Sequence, residues 1–199
     1  MTTPTHQHLR ASVLTLALWS AIGTVAVQAH AATVSSNFEA KAAVQGVPLQ
    51  LNGAGTRYKA IFRVYDMALY TSAKGNTPEA IIAMQGPKRL SFVALRDLPG
   101  TDLGIAFIKG LSSNSPADQV QKHAASSTRL IEIFSGKPKL TAGDTFAMEF
   151  VPGRGTTFYI QGQAQGAPIG DAEFFDMVLK IWIGPVPADF KLKDALLGL

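Results

Sequence analysis

The sequence predicts an α+β fold: a mainly antiparallel β-sheet with helices packed on one face. Three observations lead there. Strand-like and helix-like segments come in runs, not in the strict alternation of a parallel βαβ sheet. Residues 145–151 (TFAMEFV) and 156–161 (TTFYIQ) flank Pro152-Gly153-Arg154-Gly155, the strand, tight turn, strand signature of a hairpin. Several helical segments carry one apolar stripe, as a helix lying on a sheet does.

Taken in order, residues 44–51 (VQGVPLQL) read as a short first strand with Pro48 at an edge or bend. Asn52-Gly53-Ala54-Gly55 reads as a bend, because glycine frees the backbone there. The aromatic and β-branched run over 57–72 (Tyr58, Ile61, Phe62, Val64, Tyr65, Tyr70) then reads as one long strand. Thr77-Pro78 opens a short helix to Met84, with Thr as N-cap and Pro at the first helical position. Gly86-Pro87 ends it, and 89–95 (RLSFVAL) is a strand.

A second helix starts near Thr101, with Leu103, Ala106, Phe107, Gly110 and Leu111 on one face. A third begins at Ser115-Pro116, with Asp118 completing a capping-box-like start. Its stripe is Val120, Ala124, Ser127, Ile131 and Phe134. After the hairpin, 167–169 reads as a short strand. Gly170-Asp171 opens a helix to Ile183 whose wide apolar face (Phe174, Phe175, Val178, Leu179, Ile181, Trp182) marks it as buried. Asp189 caps a last helix with Leu192, Ala195 and Leu196 inward. There is no internal repeat and no second domain.

Composition narrows the function. With 47% hydrophobic and 16% charged residues the chain is an ordinary globular sequence able to bury a core. The first 31 residues differ: Arg10, then the apolar run 13–22, then Ala29-His30-Ala31. That order reads as a secretory signal peptide over 1–31, cleaved after Ala31, leaving a domain over 32–199. The strongly apolar part is short for a bilayer span of about 20 residues. The expected location is a bacterial periplasm, with no stable membrane anchor after cleavage. The chain has no cysteine, which excludes disulfides and thiolate chemistry. Its net charge of +4 comes from scattered cations, without the basic patch and interleaved aromatics of a nucleic-acid binder.

Few residues offer chemistry. Of the four histidines, His6, His8 and His30 would leave with the leader. His123 alone makes neither a metal cluster nor a Ser-His-Asp triad, and it reads as a surface or half-buried side chain. Gly53-Ala54-Gly55 is too short for a dinucleotide or P-loop fingerprint. No metal or cofactor is expected. Arg57 stands out, just past the bend at the mouth of an apolar segment, where its planar fork would grip a carboxylate or enolate-like oxygen. The alternative is a solvent-facing arginine in a weak surface pair. Tyr65, eight residues on, shares its face if the strand is unbroken. It is either a hydrogen-bond donor to the same ligand or a core tyrosine.

Three segments carry a family resemblance: LNGAGTR (51–57), VYDMALYT (64–71) and IWIGPVPADFKLKDALLG (181–198). Together they resemble the exported bacterial branch of the chalcone isomerase-like family, and the order of elements fits over roughly residues 40–198. The resemblance implies the open-faced β-sandwich of chalcone isomerases. It implies that Arg57 matches the arginine that stabilises the oxyanion in ring closure, and that in fatty-acid-binding relatives holds a carboxylate. It sets Tyr65 at the position of a catalytic threonine. It also places Leu103, Ala106 and Gly110 where plant isomerases carry a tyrosine, a lysine and an asparagine. No tyrosine occurs between Tyr70 and Tyr159, so the plant-type set is not intact. The pair lining the substrate cleft falls near Phe174 and Phe175.

The expected partner is a small amphipathic or aromatic ligand. The leading expectation is a fatty-acid-like carboxylate in a cleft headed by Arg57. An isomerase (intramolecular lyase) using Arg57 on an enolate is the alternative. A structural or interaction protein with a filled core is the third.

Overall fold

A computed structural model describes residues 1, 2 and 34–199. All but the first two residues of the leader read over 1–31, with its cleavage site, lie outside the described residues. The strands are β1 (Lys41–Val44), β2 (Val47–Lys59), β3 (Phe62–Thr71), β4 (Lys88–Ala94), β5 (Leu98–Pro99), β6 (Lys139–Leu140), β7 (Thr145–Val151), β8 (Gly155–Ile160) and β9 (Gln163–Ala164). The helices are α1 (Pro78–Ala83), α2 (Gly100–Asn114), α3 (Ala117–Lys122), α4 (Ala124–Ser135), α5 (Ala172–Ile183) and α6 (Phe190–Leu197). Seven strands form one antiparallel sheet in the order β1-β2-β3-β4-β7-β8-β9, and β5 pairs with β6 apart from it.

The period-two alternation of strands sorts side chains onto two faces. One face carries Tyr65, Met67, Leu69, Leu90, Phe92, Phe146, Met148 and Phe150, and the buried apolar side chains of the helices join it in one core. The other holds a small cluster of Val44, Leu49, Ala68 and Tyr70 with no helix over it among the described residues. The fold is the predicted one, an antiparallel sheet with helices on one face. Thr77, Asp171 and Asp189 cap α1, α5 and α6 as their sequence positions suggest, accepting the N–H groups of Ala80, Phe174 and Leu192 at 3.2, 3.0 and 3.2 Å.

The expected long strand over 57–72 is instead a hairpin. The chain turns at Ala60-Ile61, with Ala60 at φ 54°, and Lys59 pairs with Phe62. Asn52-Gly53-Ala54-Gly55 does not bend away but runs within β2. The glycines are there because α6 crosses them. A Cβ on Gly53 would collide with the Ala195 carbonyl, and one on Gly55 would lie 2.7 Å from the Ala195 Cβ. The first strand is likewise a hairpin, β1 to β2, turning at Gln45-Gly46 with φ 49° and 78°, the positive pair of a two-residue turn.

The expected third helix breaks at His123 (φ −98°, ψ 18°) into α3 and α4. The break resets the helical phase. Leu130 and Ile133 are buried in place of Ala124, which is exposed. Ser115 and Asp118 make no side-chain cap for α3. Residues 167–169 contribute one bridge, Thr156 to Ile169, not a strand.

Candidate ligand-binding site

Arg57 lies on β2 directly opposite Tyr65 on β3. They share a face through cross-strand pairing, not through an eight-residue offset along one strand. The register slips at this point: Tyr58 pairs with Arg63, so Val64 is an extra residue in β3. Such a bulge re-aims the side chains beside it. The Arg57 guanidinium sits 5.5 Å from the centre of the Tyr65 ring.

Tyr65 is buried and its hydroxyl oxygen accepts the Trp182 indole N–H at 2.7 Å. Its ring meets Phe92 and Phe146 edge-on at 5.4 and 6.2 Å. Burial pushes the phenol pKa up, opposed by the Arg57 charge and the hydrogen bond from Trp182. The phenol is therefore neutral near pH 7. Because its oxygen accepts from Trp182, its own proton is left free for donation.

These two residues, with Leu103 and Ala106 of α2, line a cavity of about 30 Å³. Phe107, Phe146, Ile181, Trp182 and Ala188 close it. Outside it, on the other flank of Arg57, a cleft of about 190 Å³ is lined by Val64, Leu98 and Leu103, with Lys59, Arg96, Asp97 and Asp102 among its charged groups. Arg57 thus stands between a small apolar cavity and an open cleft. Its Nε is buried and makes no hydrogen bond among the described residues. An arginine N–H held out of water without an acceptor is costly, and an anionic oxygen is the group that would satisfy it.

Of the six residues read from the sequence, Arg57, Tyr65, Leu103 and Ala106 come together. Phe174 and Phe175 do not line this cavity. They occupy the first turns of α5, fully buried, where Phe175 stacks on Phe150 at 4.7 Å and Phe174 packs near His123 at 5.8 Å. Two helical turns further along the same stripe, Ile181 and Trp182 take the lining positions. The spacing of seven residues leaves the apolar pattern unchanged under that shift, so periodicity alone gave no way to choose. Gly110 is close to α5 instead, where an added Cβ would lie 2.8 Å from Ile181.

His123 is buried, not at the surface, and sits 3.0 Å from Glu173 and 3.9 Å from Asp171. Three metal-ligating side chains therefore meet here. The Lys122 ammonium also binds Glu173, as does Gln119 at 3.1 Å. Hydrogen bonds from Lys122 and His123 hold the Glu173 carboxyl down to about 2. A cation already occupies the carboxylate, so the trio is an ion-pair cluster joining α3 to α5.

The sheet order and the one-sided helix layer define an open-faced β-sandwich, with an arginine set opposite a tyrosine at a bulge. The chain belongs to the chalcone isomerase-like family, whose sequence profile matches residues 30–198. Its fold is similar to the crystal structure of a fatty-acid binding protein of Arabidopsis thaliana, at TM-score 0.60 and 15% identity, covering 80% of this chain and 90% of that one. At that identity the likeness is one of fold. No curated protein matches the chain in sequence.

Proposed function

We propose that this protein binds a small amphipathic carboxylate, fatty-acid-like in chemistry, with Arg57 holding the acid group and the Tyr65 hydroxyl donating to it. The observation that carries the reading is the buried Arg57 Nε without a partner. The solved fatty-acid binding protein of the same fold adds support from outside the chain. Size shapes the ligand. The cavity of about 30 Å³ and the cleft of about 190 Å³ fall short of the roughly 300–1,000 Å³ of drug-sized pockets. A short chain fits this arrangement. A long one requires Trp182 and Leu103 to move aside.

The test is native purification followed by mass spectrometry of whatever co-purifies, with Arg57→Ala alongside. A retained amphipathic carboxylate that is lost in Arg57→Ala is the expected result. An empty protein that also fails to bind short fatty acids in calorimetry would overturn the reading and favour the filled-core interaction protein.

A second reading uses the same donors for catalysis. The Arg57 N–H and Tyr65 O–H donors on one side of the sheet would stabilise an enolate oxygen in an intramolecular conjugate addition. Leu103 and Ala106 offer it no further polar group. Chalcone cyclisation above the uncatalysed rate, abolished in Arg57→Ala, would establish it.

The proposal includes export. Arg10, the apolar run 13–22 and Ala29-His30-Ala31 support cleavage after Ala31 and a periplasmic location. Among the described residues no helix is long and apolar enough to cross a membrane. N-terminal sequencing of the protein recovered from a bacterial host tests the cleavage site.

A further inference from the structure

The β2–β3 tip exposes what a globular surface usually hides. Ile61 is 84% exposed and Phe62 57%, at the extreme of a tight turn, and Tyr58 is exposed beside them. Single exposed apolar residues are ordinary, but neighbours at one protruding tip are not. Cations lie beside the tip. Lys59 flanks it in sequence and is exposed, and the Arg96 guanidinium lies 5.5 Å from the Phe62 ring. Arg63, on the other side of the turn, is engaged elsewhere, donating to the Ser35 hydroxyl at 2.5 Å and lying 3.9 Å from Asp66. Three of the acidic groups close by are already engaged. Asp97 binds Lys139 at 2.5 Å, and Asp189 caps α6 while accepting the Tyr58 N–H at 2.8 Å. Asp66 accepts from Ser35, Ser36 and Thr56. Asp102 on α2 is exposed across the cleft. The Asp189 contact also brings the start of α6, with Phe190 65% exposed, to the Tyr58 edge.

We infer that this tip docks on an anionic lipid surface, with Ile61 and Phe62 entering the boundary between headgroups and acyl chains while Lys59 and Arg96 meet the anionic headgroups. Two features select a bilayer over a protein partner. A stable protein interface needs about 800 Å² per partner, which a two-residue tip does not provide. An apolar point flanked by two basic side chains matches the layered chemistry of a membrane interface. The inference stands apart from what Arg57 holds. It bears on that site because Lys59 and Arg96 line both the tip and the outer cleft. A docked tip sets the mouth of the cleft at the lipid surface.

The chain has no cysteine, so one introduced thiol carries one label. The experiment places an environment-sensitive fluorophore at Ala60→Cys, on the tip, or at Gln163→Cys, on the far edge strand β9. The full chain is titrated with phosphatidylcholine vesicles with and without phosphatidylglycerol. The expected result is a blue shift at position 60, quenchable by spin-labelled lipid, with anionic vesicles only, and no change at position 163. Phe62→Ser and, independently, Ile61→Ser should abolish the shift. Lys59→Ser should weaken partitioning about fivefold, the effect of one basic residue at an anionic surface. Added salt should reverse binding. Vesicle-bound protein with an unshifted label at position 60 would overturn the inference, since the leader or another face would then hold the membrane. So would an equal response at position 163, or binding indifferent to anionic lipid.

Discussion

The two faces of the sheet hold opposite combinations of space and chemistry. On the face without helices, a groove of about 530 Å³ runs past Tyr70, Arg89, Glu149 and Tyr159. Its central polar groups are paired. Arg89 binds Glu149 at 2.7 Å, and the Tyr70 hydroxyl donates to the Glu39 carbonyl at 2.9 Å. Nearby on that face, buried Asp66 accepts hydrogen bonds from Ser35, Ser36 and Thr56. On the helix-covered face the free volume beside Arg57 is only about 30 Å³, yet it holds an arginine nitrogen without a partner among the described residues and a phenol whose oxygen accepts from Trp182. Neighbouring residues of β3, Tyr65 and Asp66, serve the two faces. Volume and reactivity have separated, and unsatisfied chemistry marks the better candidate site than open space does.

The largest effect on this contrast should come from Trp182→Ala. Trp182 is buried against Phe92 and Phe107 at 5.2 and 5.6 Å and orients the Tyr65 hydroxyl. Removing it should cost about 3–5 kcal/mol in a urea unfolding measurement, by the behaviour of large-to-small core changes. It should also widen the cavity and extend the range of chain lengths bound. Trp182→Phe separates the two contributions. It keeps most of the packing and loses the indole donor, for which about 1 kcal/mol is expected.

What the sequence makes legible follows from this geometry. The α+β class, the three helix caps and the 145–161 hairpin rest on local signals, and each is present in the fold. The β2–β3 hairpin is not legible, because its turn residues, Ala60 and Ile61, are poor turn formers. The glycines that look like a turn are there for α6, nearly 140 residues away in sequence. Arg57 stands out by residue type and family motif, but its pairing with Tyr65 depends on a register slip that no local pattern encodes. Trp182 and Ile181 share a helical stripe with Phe174 and Phe175, and only the placement of α5 on the sheet decides which pair reaches the cavity. The Asp66 network has no local sign either, since Ser35 and Ser36 lie about 30 residues away.

Asp66 offers the second test. Burial alone would raise its carboxyl pKa, but hydrogen bonds from Thr56, Ser36 and Ser35 outweigh that and hold it below the ordinary value. A carboxylate with a depressed folded pKa stabilises the fold fully above its unfolded value of about 3.9. That contribution is lost as pH falls through the folded value. Asp66→Ala should therefore lower stability at neutral pH by about 1.5–3 kcal/mol, because charged hydrogen bonds are lost and their donors left unpaired. The gap between wild type and variant should narrow as the pH drops below about 4. Urea midpoints across that range check both statements. A gap independent of pH would mean that the carboxylate charge is not what ties Ser35 and Ser36 to the sheet.

The smallest stability effect, and the sharpest use of the contrast, belongs to Arg57→Met. Asp66 is satisfied, so its removal is destabilising. Arg57 has a buried nitrogen without an acceptor, so its removal takes away a desolvation cost along with a charge. The methionine side chain fills similar space against Tyr65 and Leu103. Stability should stay within about 1 kcal/mol of wild type or rise slightly, the pattern of residues retained for function at some expense to the fold. Binding of a short fatty acid should fall by about one to two powers of ten, matching the loss of charge-assisted hydrogen bonds worth about 1.5–3 kcal/mol. The two measurements divide the explanations cleanly. Unchanged stability with lost binding assigns Arg57 to the ligand. A large loss of stability with no change in binding would make it a structural residue.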